Sequence, residues 1–136
     1  LHHDLLQALS ETGGMVGFSL YPNHLKLGSG CTLQEFSEMV STACKTYGAA
    51  MFGIGSDLCQ GQPNSVVNWM RNGHWRKTPG PPAEFPEPTT WFKDNSDFPG
   101  LFEGLRQSAM SESDVTGVMG ENWMTFWKKA LIPNDS

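Results

Sequence analysis

The chain has 136 residues, of which 38% are hydrophobic and 11% aromatic, a composition that suits one globular domain with one core rather than two domains. Its net charge is −5 and no basic run is longer than two residues, which disfavours nucleic acid as a partner, since phosphate binding draws on clustered Lys and Arg. No apolar stretch approaches the length of about 20 residues that a bilayer-spanning helix needs.

The first residues of the chain indicate its cellular location, and its cysteines indicate whether to expect disulfides or a zinc site. Leu1 is not followed by the basic start, apolar middle and small-residue cleavage site of a signal peptide, so we expect a chain that begins inside a longer protein, with a cytoplasmic location favoured. Cys31, Cys44 and Cys59 are odd in number and form no Cys-x-x-Cys pair. We therefore expect three reduced, partly buried thiols, and neither a disulfide framework nor a zinc knuckle.

The first part of the chain is predicted to alternate helix, strand, helix and strand. Leucines at helical spacing predict a helix over 3–12, and a nearly unbroken apolar run predicts a buried strand over 15–20. Thr32 begins the next helix, with Glu35 completing a capping box, and a second buried strand follows at 50–55. Two parallel strands joined in this way form a right-handed βαβ unit. The face of the second helix expected to be buried consists of Phe36, Met39, Val40, Ala43 and Tyr47.

A proline-rich excursion follows the second strand over residues 58–93. The apolar residues of 66–70 predict a short helix inside it, beginning at Asn64 or Ser65. Five prolines within residues 78–88 exclude helix and central strand there. A long segment of this kind above a strand end is either a lid or a plain solvent-exposed insertion, and the sequence leaves both open.

The last part of the chain is predicted to be helical. A helix covers about 98–108, and the Ser111-Glu-Ser-Asp114 capping box opens another, which Gly120 interrupts. Helix resumes over 121–131 and Pro133 ends it. The residues of this last segment expected to pack in the core are Trp123 and Trp127.

The residues that end the second strand carry the main functional signal. The apolar run from Ala50 ends in Gly53 and Gly55 and then presents a single carboxylate, Asp57. Such glycines let a ligand approach closely, and the catalytic groups of α/β proteins gather at the carboxyl ends of strands. Asp57 is therefore a candidate functional residue. The alternative is that it caps a turn or the following helix.

The histidines and carboxylates of the chain do not fall into a pattern typical of a metal site. Residues 2–4 contain His-x-Asp, a pair that opens many metal-dependent hydrolases, but there it follows a buried strand, whereas here only Leu1 precedes it. His24 and His74 lie in loops without Cys or Glu at ligand spacing. Zinc catalysis needs three protein ligands and an open position, so we expect no metal ligands here. The hypothesis of a free-standing small metalloenzyme would use His2, Asp4, His24 and Asp57.

The predicted sheet is incomplete. Two parallel strands, each apolar on both faces, leave two edges of unpaired amides and carbonyls and much apolar surface uncovered. Parallel sheets occur almost only inside larger α/β assemblies. The pattern therefore indicates the last section of a barrel or sheet whose other strands lie elsewhere.

Four motifs follow one another along the chain: Gly14-Met-Val-Gly-Phe-Ser-Leu-Tyr-Pro-Asn, then Gly53-Ile-Gly-Ser-Asp57-Leu, then Trp91-Phe-Lys-Asp-Asn with Asp97-Phe-Pro, then Met119-Gly-Glu-Asn122-Trp. Together they closely resemble the C-terminal part of the membrane (renal) dipeptidase family, which are zinc-dependent metallopeptidases that hydrolyse dipeptides. The resemblance is strongest to bacterial members and covers nearly the whole chain.

The resemblance implies an α/β fold class: the C-terminal part of a (β/α)8 TIM barrel of the amidohydrolase-like, metal-dependent hydrolase type, with about two parallel strands plus helices. Residues 15–20 would be the seventh strand and 50–55 the eighth. Two zinc ions would lie at the barrel mouth, beneath the loop 58–93. Asp57 would bind the free amino group of the dipeptide and handle a proton at the scissile nitrogen, and Tyr21 would also contact substrate.

The family's zinc ligands all precede the seventh strand, so none falls in this chain, and its substrate-gripping arginine is absent as well. The resemblance thus implies a single partial domain, residues 1–136, forming the last third of a metallodipeptidase and inactive by itself. Its partners would be a dipeptide and the remainder of the barrel, and homo-oligomerisation stays open. The alternative is a non-catalytic α/β binding or assembly module that docks on another chain through its strand edges.

Overall fold

The computed structural model describes residues 2–132 and shows a mixed α/β chain with two strands and six α-helices in that range. The elements are, in order, α1 (His3–Thr12), β1 (Val16–Ser19), α2 (Leu33–Tyr47), β2 (Phe52–Gly55), α3 (Asn64–Asn72), α4 (Phe98–Arg106), α5 (Glu112–Thr116) and α6 (Asn122–Leu131). None of the helices in this range is long and apolar enough to cross a membrane. Pro133, the predicted end of the last helix, lies outside the described residues.

The two strands pair in parallel, as predicted. The register runs from Val16 opposite Phe52 to Ser19 opposite Gly55. Both strands are shorter than expected: Ala50 and Met51, counted with the second strand from their apolar character, belong instead to the 3-10 turn Ala49–Met51. Gly48 precedes this turn with a φ of 91°, a backbone region that favours glycine, so the chain is still turning where strand was predicted.

The predicted capping box of α2 is confirmed. The Glu35 backbone N–H donates to Thr32 Oγ1 at 3.2 Å, and the Thr32 backbone N–H donates to Glu35 Oε2 at 2.8 Å. The hydrogen bonds from Thr32 hold the pKa of the Glu35 carboxyl below its ordinary value. Two of the amides that every helix start leaves without an intrahelical partner are therefore satisfied by the helix's own sequence.

The core forms where α2, α4 and α5 pack beside the sheet. The prediction for α2 is right for Phe36 and Val40 and wrong for Met39, which is 43% exposed. The buried stripe instead includes Ser37 and Ser41. Helix α4 approaches closely on this side, since a Cβ added at its Gly104 would collide with Leu33 of α2, and small side chains suit such an approach better than long apolar ones. The largest fully buried residues of the core are Phe36, Phe52, Leu101, Leu105, Val40, Val115 and Val118.

Helix α6 is attached to β2 by polar contacts. Asn122 Nδ2 donates to the carbonyl oxygens of Ala49, at 2.9 Å, and Phe52, at 2.8 Å. The indole N–H of Trp123 donates to the Ile54 carbonyl at 3.1 Å, and a Cβ added at Gly53 would collide with that indole. Gly53, inside β2, is therefore needed to admit the tryptophan against the strand.

The core prediction for the tryptophan pair is wrong for Trp127, which is 51% exposed. No residue of α6 is buried among those the structure describes. The helix contacts β2 at its first turn, through Asn122 and Trp123. One turn later Trp127 packs edge-on against the neighbouring Phe126 and keeps half of its surface exposed.

We expect Thr32→Ala to lower the free energy of unfolding by about 1 kcal/mol, because it removes the hydroxyl that accepts the Glu35 amide. Urea denaturation followed by circular dichroism measures the loss. The matched control is Thr46→Ala, since the Thr46 hydroxyl only donates to the Thr42 carbonyl inside the same helix. Equal losses in the two variants would contradict a capping role.

Candidate functional site

Tyr21 and Asp57 lie beside each other at the carboxyl ends of the two strands. Tyr21 follows β1 by two residues and Asp57 follows β2 by two residues, and the parallel register places both ends at one edge of the sheet. A pocket of about 370 Å³ opens there, and both residues line it. This size is within the range of small-molecule sites. The structure thus brings together the two residues to which the resemblance assigns substrate binding.

Asp57 has an unusual backbone conformation. Its φ is 51°, and it is the non-glycine residue in the described range with positive φ. This left-handed region costs roughly 1 kcal/mol for a residue with a Cβ, although aspartate tolerates it better than most. Helix α3 begins seven residues later, with Pro63 as its cap, so Asp57 does not cap that helix.

His24 adjoins Asp57, although the sequence placed it only in a loop. Its Nδ1 lies 3.7 Å from Asp57 Oδ2 and 2.8 Å from Ser19 Oγ. Ser19 Oγ also accepts the backbone N–H of Tyr21 at 3.1 Å. The tight turn Pro22–His24 after β1 produces this arrangement, because it returns the histidine towards the strand end.

The three side chains do not form a nucleophilic triad. In such a triad the serine faces one ring nitrogen and the carboxylate the other. Here Ser19 and Asp57 both face Nδ1 of His24. The cluster therefore places a carboxylate beside an imidazole, without the geometry that activates a serine.

The described residues assemble no metal centre, since residues 2–132 contain no group of three or more His, Cys, Asp or Glu able to hold a metal ion. His2 and Asp4 lie 3.6 Å apart on the exposed start of α1, each 84% exposed, as expected for a solvated helix start. The hypothesis of a free-standing metalloenzyme built on these two residues with His24 and Asp57 is therefore wrong. His24 and Asp57 do meet, but as a pair.

A ladder of asparagines organises the proline-rich excursion. Helix α3 is confirmed, and it presents asparagine at every fourth position. The side-chain oxygens of Asn64, Asn68 and Asn72 accept the backbone N–H groups of Phe85, Ala83 and Gly80 at 3.1, 3.2 and 2.7 Å, respectively. We call these three residues the asparagine ladder. Because prolines have no N–H, the ladder uses the few amides that the segment retains.

The ladder fixes one wall of the pocket. Residues 84–88 continue from the segment it holds and line the same pocket as Tyr21 and Asp57. The excursion is therefore part of the pocket, and its position over a barrel mouth stays a prediction. Glu84 and Glu87 add two carboxylates to that of Asp57, against the single cation Lys93, so the lining favours a cationic group.

The expectation of three partly buried thiols is right for the burial of two cysteines and wrong for Cys59. Cys31 and Cys44 are buried and Cys59 is exposed. Burial, with a smaller contribution from Asp114, raises the pKa of the Cys44 thiol to about 11, and burial likewise raises that of Cys31. Cys59 lines the pocket, and its Sγ lies 3.5 Å from the carbonyl oxygen of Asp57. The reactivity of the Cys59 thiol therefore reports directly on access to the pocket.

A larger concavity, of about 610 Å³, lies along the outer side of α2. Its lining is mostly apolar, with Leu25, Leu27 and Met39 among the residues. It includes neither Asp57 nor Tyr21, so it is separate from the chemistry at the strand ends.

Comparison with known proteins gives one informative match. No family model matches the chain, and no curated protein matches it. A solved structure described as an amidohydrolase from Pseudomonas aeruginosa matches with a TM-score of 0.80 and 26% sequence identity, over 92% of this chain. The chain spans 38% of the length of that structure. It is similar to part of an amidohydrolase. This supports an amidohydrolase-like fold and a relationship to hydrolases.

We expect iodoacetamide at pH 8 to alkylate Cys59 at least about tenfold faster than Cys31 or Cys44, because burial disfavours the reactive thiolate of the other two. Mass spectrometry of digested samples gives the three rates. Cys59→Ser should remove the fast reaction and Cys31→Ser should leave it intact. Fast modification of Cys44 in native protein would contradict the buried position.

We expect Asn72→Ala to loosen the excursion, because it removes the acceptor for the Gly80 amide and the donor to the Pro81 carbonyl. With each hydrogen bond contributing about 1 kcal/mol, cleavage after Glu84 by a glutamyl endopeptidase should rise roughly 5- to 30-fold. Asn95→Ala is the control, at an exposed asparagine outside the ladder. Cleavage unchanged from wild type would mean that the ladder does not hold the segment.

Proposed function

We propose that the chain is the C-terminal part of a zinc-dependent dipeptidase of the membrane (renal) dipeptidase type, and that it contributes Asp57 to the active site. In this proposal β1 and β2 are the seventh and eighth strands of a (β/α)8 barrel, and the preceding part of the parent protein supplies the rest. The observation that carries the proposal is the position of Asp57: a half-exposed carboxylate in a strained backbone conformation, at the carboxyl end of a parallel strand and in a pocket.

The zinc ions that the family implies do not fit the residues of this chain. Residues 2–132 hold no cluster of three ligands, and the carboxylate at the strand ends is paired with a single histidine. The proposal therefore assigns zinc binding to the part of the parent protein outside this chain. What remains here is the recognition of the substrate and the handling of a proton.

Asp57 suits the recognition of a free α-amino group. A dipeptide carries an ammonium at one end, and a carboxylate attracts it in a pocket whose other carboxylates, Glu84 and Glu87, add to the negative potential. A charge-assisted N–H···O bond to a carboxylate is about twice as strong as a neutral one. The same carboxylate can take a proton from the attacking water and then pass it to the scissile nitrogen as the peptide bond breaks.

Tyr21 forms the other side of the proposed recognition site. It is half-buried at the end of β1, lines the pocket, and packs edge-on against the His24 ring with the ring centroids 5.2 Å apart. An amphipathic aromatic side chain of this kind provides an apolar wall for a substrate side chain and a hydroxyl for a polar contact.

The competing function is a non-catalytic binding or assembly module. The observation that favours it is the sheet itself: within residues 2–132 each strand pairs on one edge only, so each offers unpaired backbone groups along its other edge. The same edges are expected if the strands belong to a barrel. The pocket at the strand ends, which assembly does not require, distinguishes the two functions in favour of the dipeptidase.

We expect Asp57→Asn to lower kcat/KM for simple dipeptides at least about 100-fold in the zinc-loaded parent protein, because it removes the charge that binds the ammonium and the proton-transfer group. Zinc content by atomic absorption should stay unchanged. Asp4→Asn is a matched control, since Asp4 is also an exposed carboxylate beside a histidine.

The isolated 136-residue chain should show no turnover with zinc and dipeptides. Robust turnover by this chain would refute the assignment as a part of the enzyme. Full activity of Asp57→Asn in the parent would refute the role of the carboxylate. A parent without dipeptidase activity that still assembles with this chain would favour the binding module.

A further inference from the structure

Within residues 2–132 the Asp57 carboxylate has one ion-pair partner, His24. The two residues come from different loops: His24 ends the turn after β1, and Asp57 belongs to the segment after β2. Their contact therefore joins the two strand ends across the pocket. A separation of 3.7 Å between Nδ1 and Oδ2 is longer than a hydrogen bond and within the range of an ion pair.

The imidazole itself is held from two directions. Ser19 Oγ lies 2.8 Å from Nδ1 and is fixed in turn by the Tyr21 backbone N–H, and the Tyr21 ring packs edge-on against the imidazole. Asp57 has no comparable support, because its side chain makes no hydrogen bond within the described residues. The histidine is thus the fixed member of the pair and the carboxylate is the adjustable one.

We propose that His24 is a positioning residue for Asp57, holding the Oδ2 side of the carboxylate through Nδ1 so that the other oxygen is left for the ammonium group of a substrate. This inference rests on the proposed function, because it takes the ligand of Asp57 to be a free amino group. Two loops that are independent in sequence then act as one recognition unit. Ser19 and Tyr21 contribute to it by fixing the histidine.

The size of the expected effect follows from exposure. The two side chains are 58% and 55% exposed, so solvent screens their interaction and removal of the histidine should weaken recognition without abolishing it. Because the role is to orient the group that binds substrate, the change should appear mainly in KM. Loss of a merely structural contact would lower the amount of folded enzyme instead and leave KM unchanged.

The test compares two substitutions in the zinc-loaded parent protein. His24→Phe keeps an aromatic ring against Tyr21 but has no nitrogen, and should raise KM for a dipeptide about 3- to 10-fold with kcat within about twofold of wild type. His24→Asn places an amide near the position of Nδ1 and should restore KM to within about twofold. His2→Phe is the matched control, since His2 faces Asp4 at 3.6 Å on the exposed start of α1.

A double-mutant cycle then asks whether His24 acts through Asp57. In an Asp57→Asn background, His24→Phe should have no further effect on KM, because the group that it positions is already lost. Independent, additive effects of the two substitutions would overturn the proposal. So would a His24→Phe enzyme with the kinetics of wild type, and in both cases the dipeptidase function would stand.

A spectroscopic measurement on the 136-residue chain needs no activity. In ¹H–¹⁵N spectra of the imidazole rings, Asp57→Asn should shift the His24 Nδ1 signal and leave those of His2 and His74 in place, whereas Asp4→Asn should not affect His24. An unshifted His24 signal would overturn the pairing itself. Absence of dipeptide turnover in the wild-type parent would overturn the proposed function, and with it the ammonium ligand, separately from this contact.

Discussion

The parallel pairing of β1 with β2 is the interaction on which the site depends. Each strand has only four residues, yet their register brings together side chains that are more than thirty positions apart in the chain. Helix α6 secures the pair from one side, because Asn122 binds two carbonyls at the start of β2 and Trp123 binds the Ile54 carbonyl. Gly53 makes this approach feasible, because a side chain at that position of β2 would collide with the Trp123 indole.

The wall of the pocket formed by residues 84–88 depends on side-chain hydrogen bonds instead of strand pairing. A proline-rich segment has few amides to donate and little conformational freedom to lose, so a small number of hydrogen bonds suffices to hold it. The asparagine ladder supplies these hydrogen bonds from one face of α3, so that residues 80–85 lie along the side of the helix. This arrangement places Glu84 and Glu87 in the lining of the pocket without a further helix or strand.

Local patterns in the sequence predict most of the elements, and they fail where tertiary contacts decide. The capping box at Thr32 and the apolar strands are local signals, and the structure confirms them. Met39 fits the apolar spacing of α2 but lies on the side of the helix that lines the exposed concavity, which the spacing alone does not reveal. The contact between His24 and Asp57 depends on the register of the two strands, so the spacing of residues along the chain cannot predict it. The asparagines at every fourth position of α3, by contrast, are a signal that is visible in the sequence.

The backbone of Asp57 gives the strongest argument that its carboxylate is functional. At a φ of 51° glycine would be unstrained, and glycines stand at two of the four preceding positions, so the chain readily uses them here. Aspartate at such a position usually offsets its strain by accepting a backbone N–H, yet within residues 2–132 the Asp57 side chain accepts none. Its one partner is a half-exposed histidine, which stabilises little. An unusual backbone conformation without local compensation, in a pocket at a strand end, therefore supports the proposal that Asp57 is a functional residue.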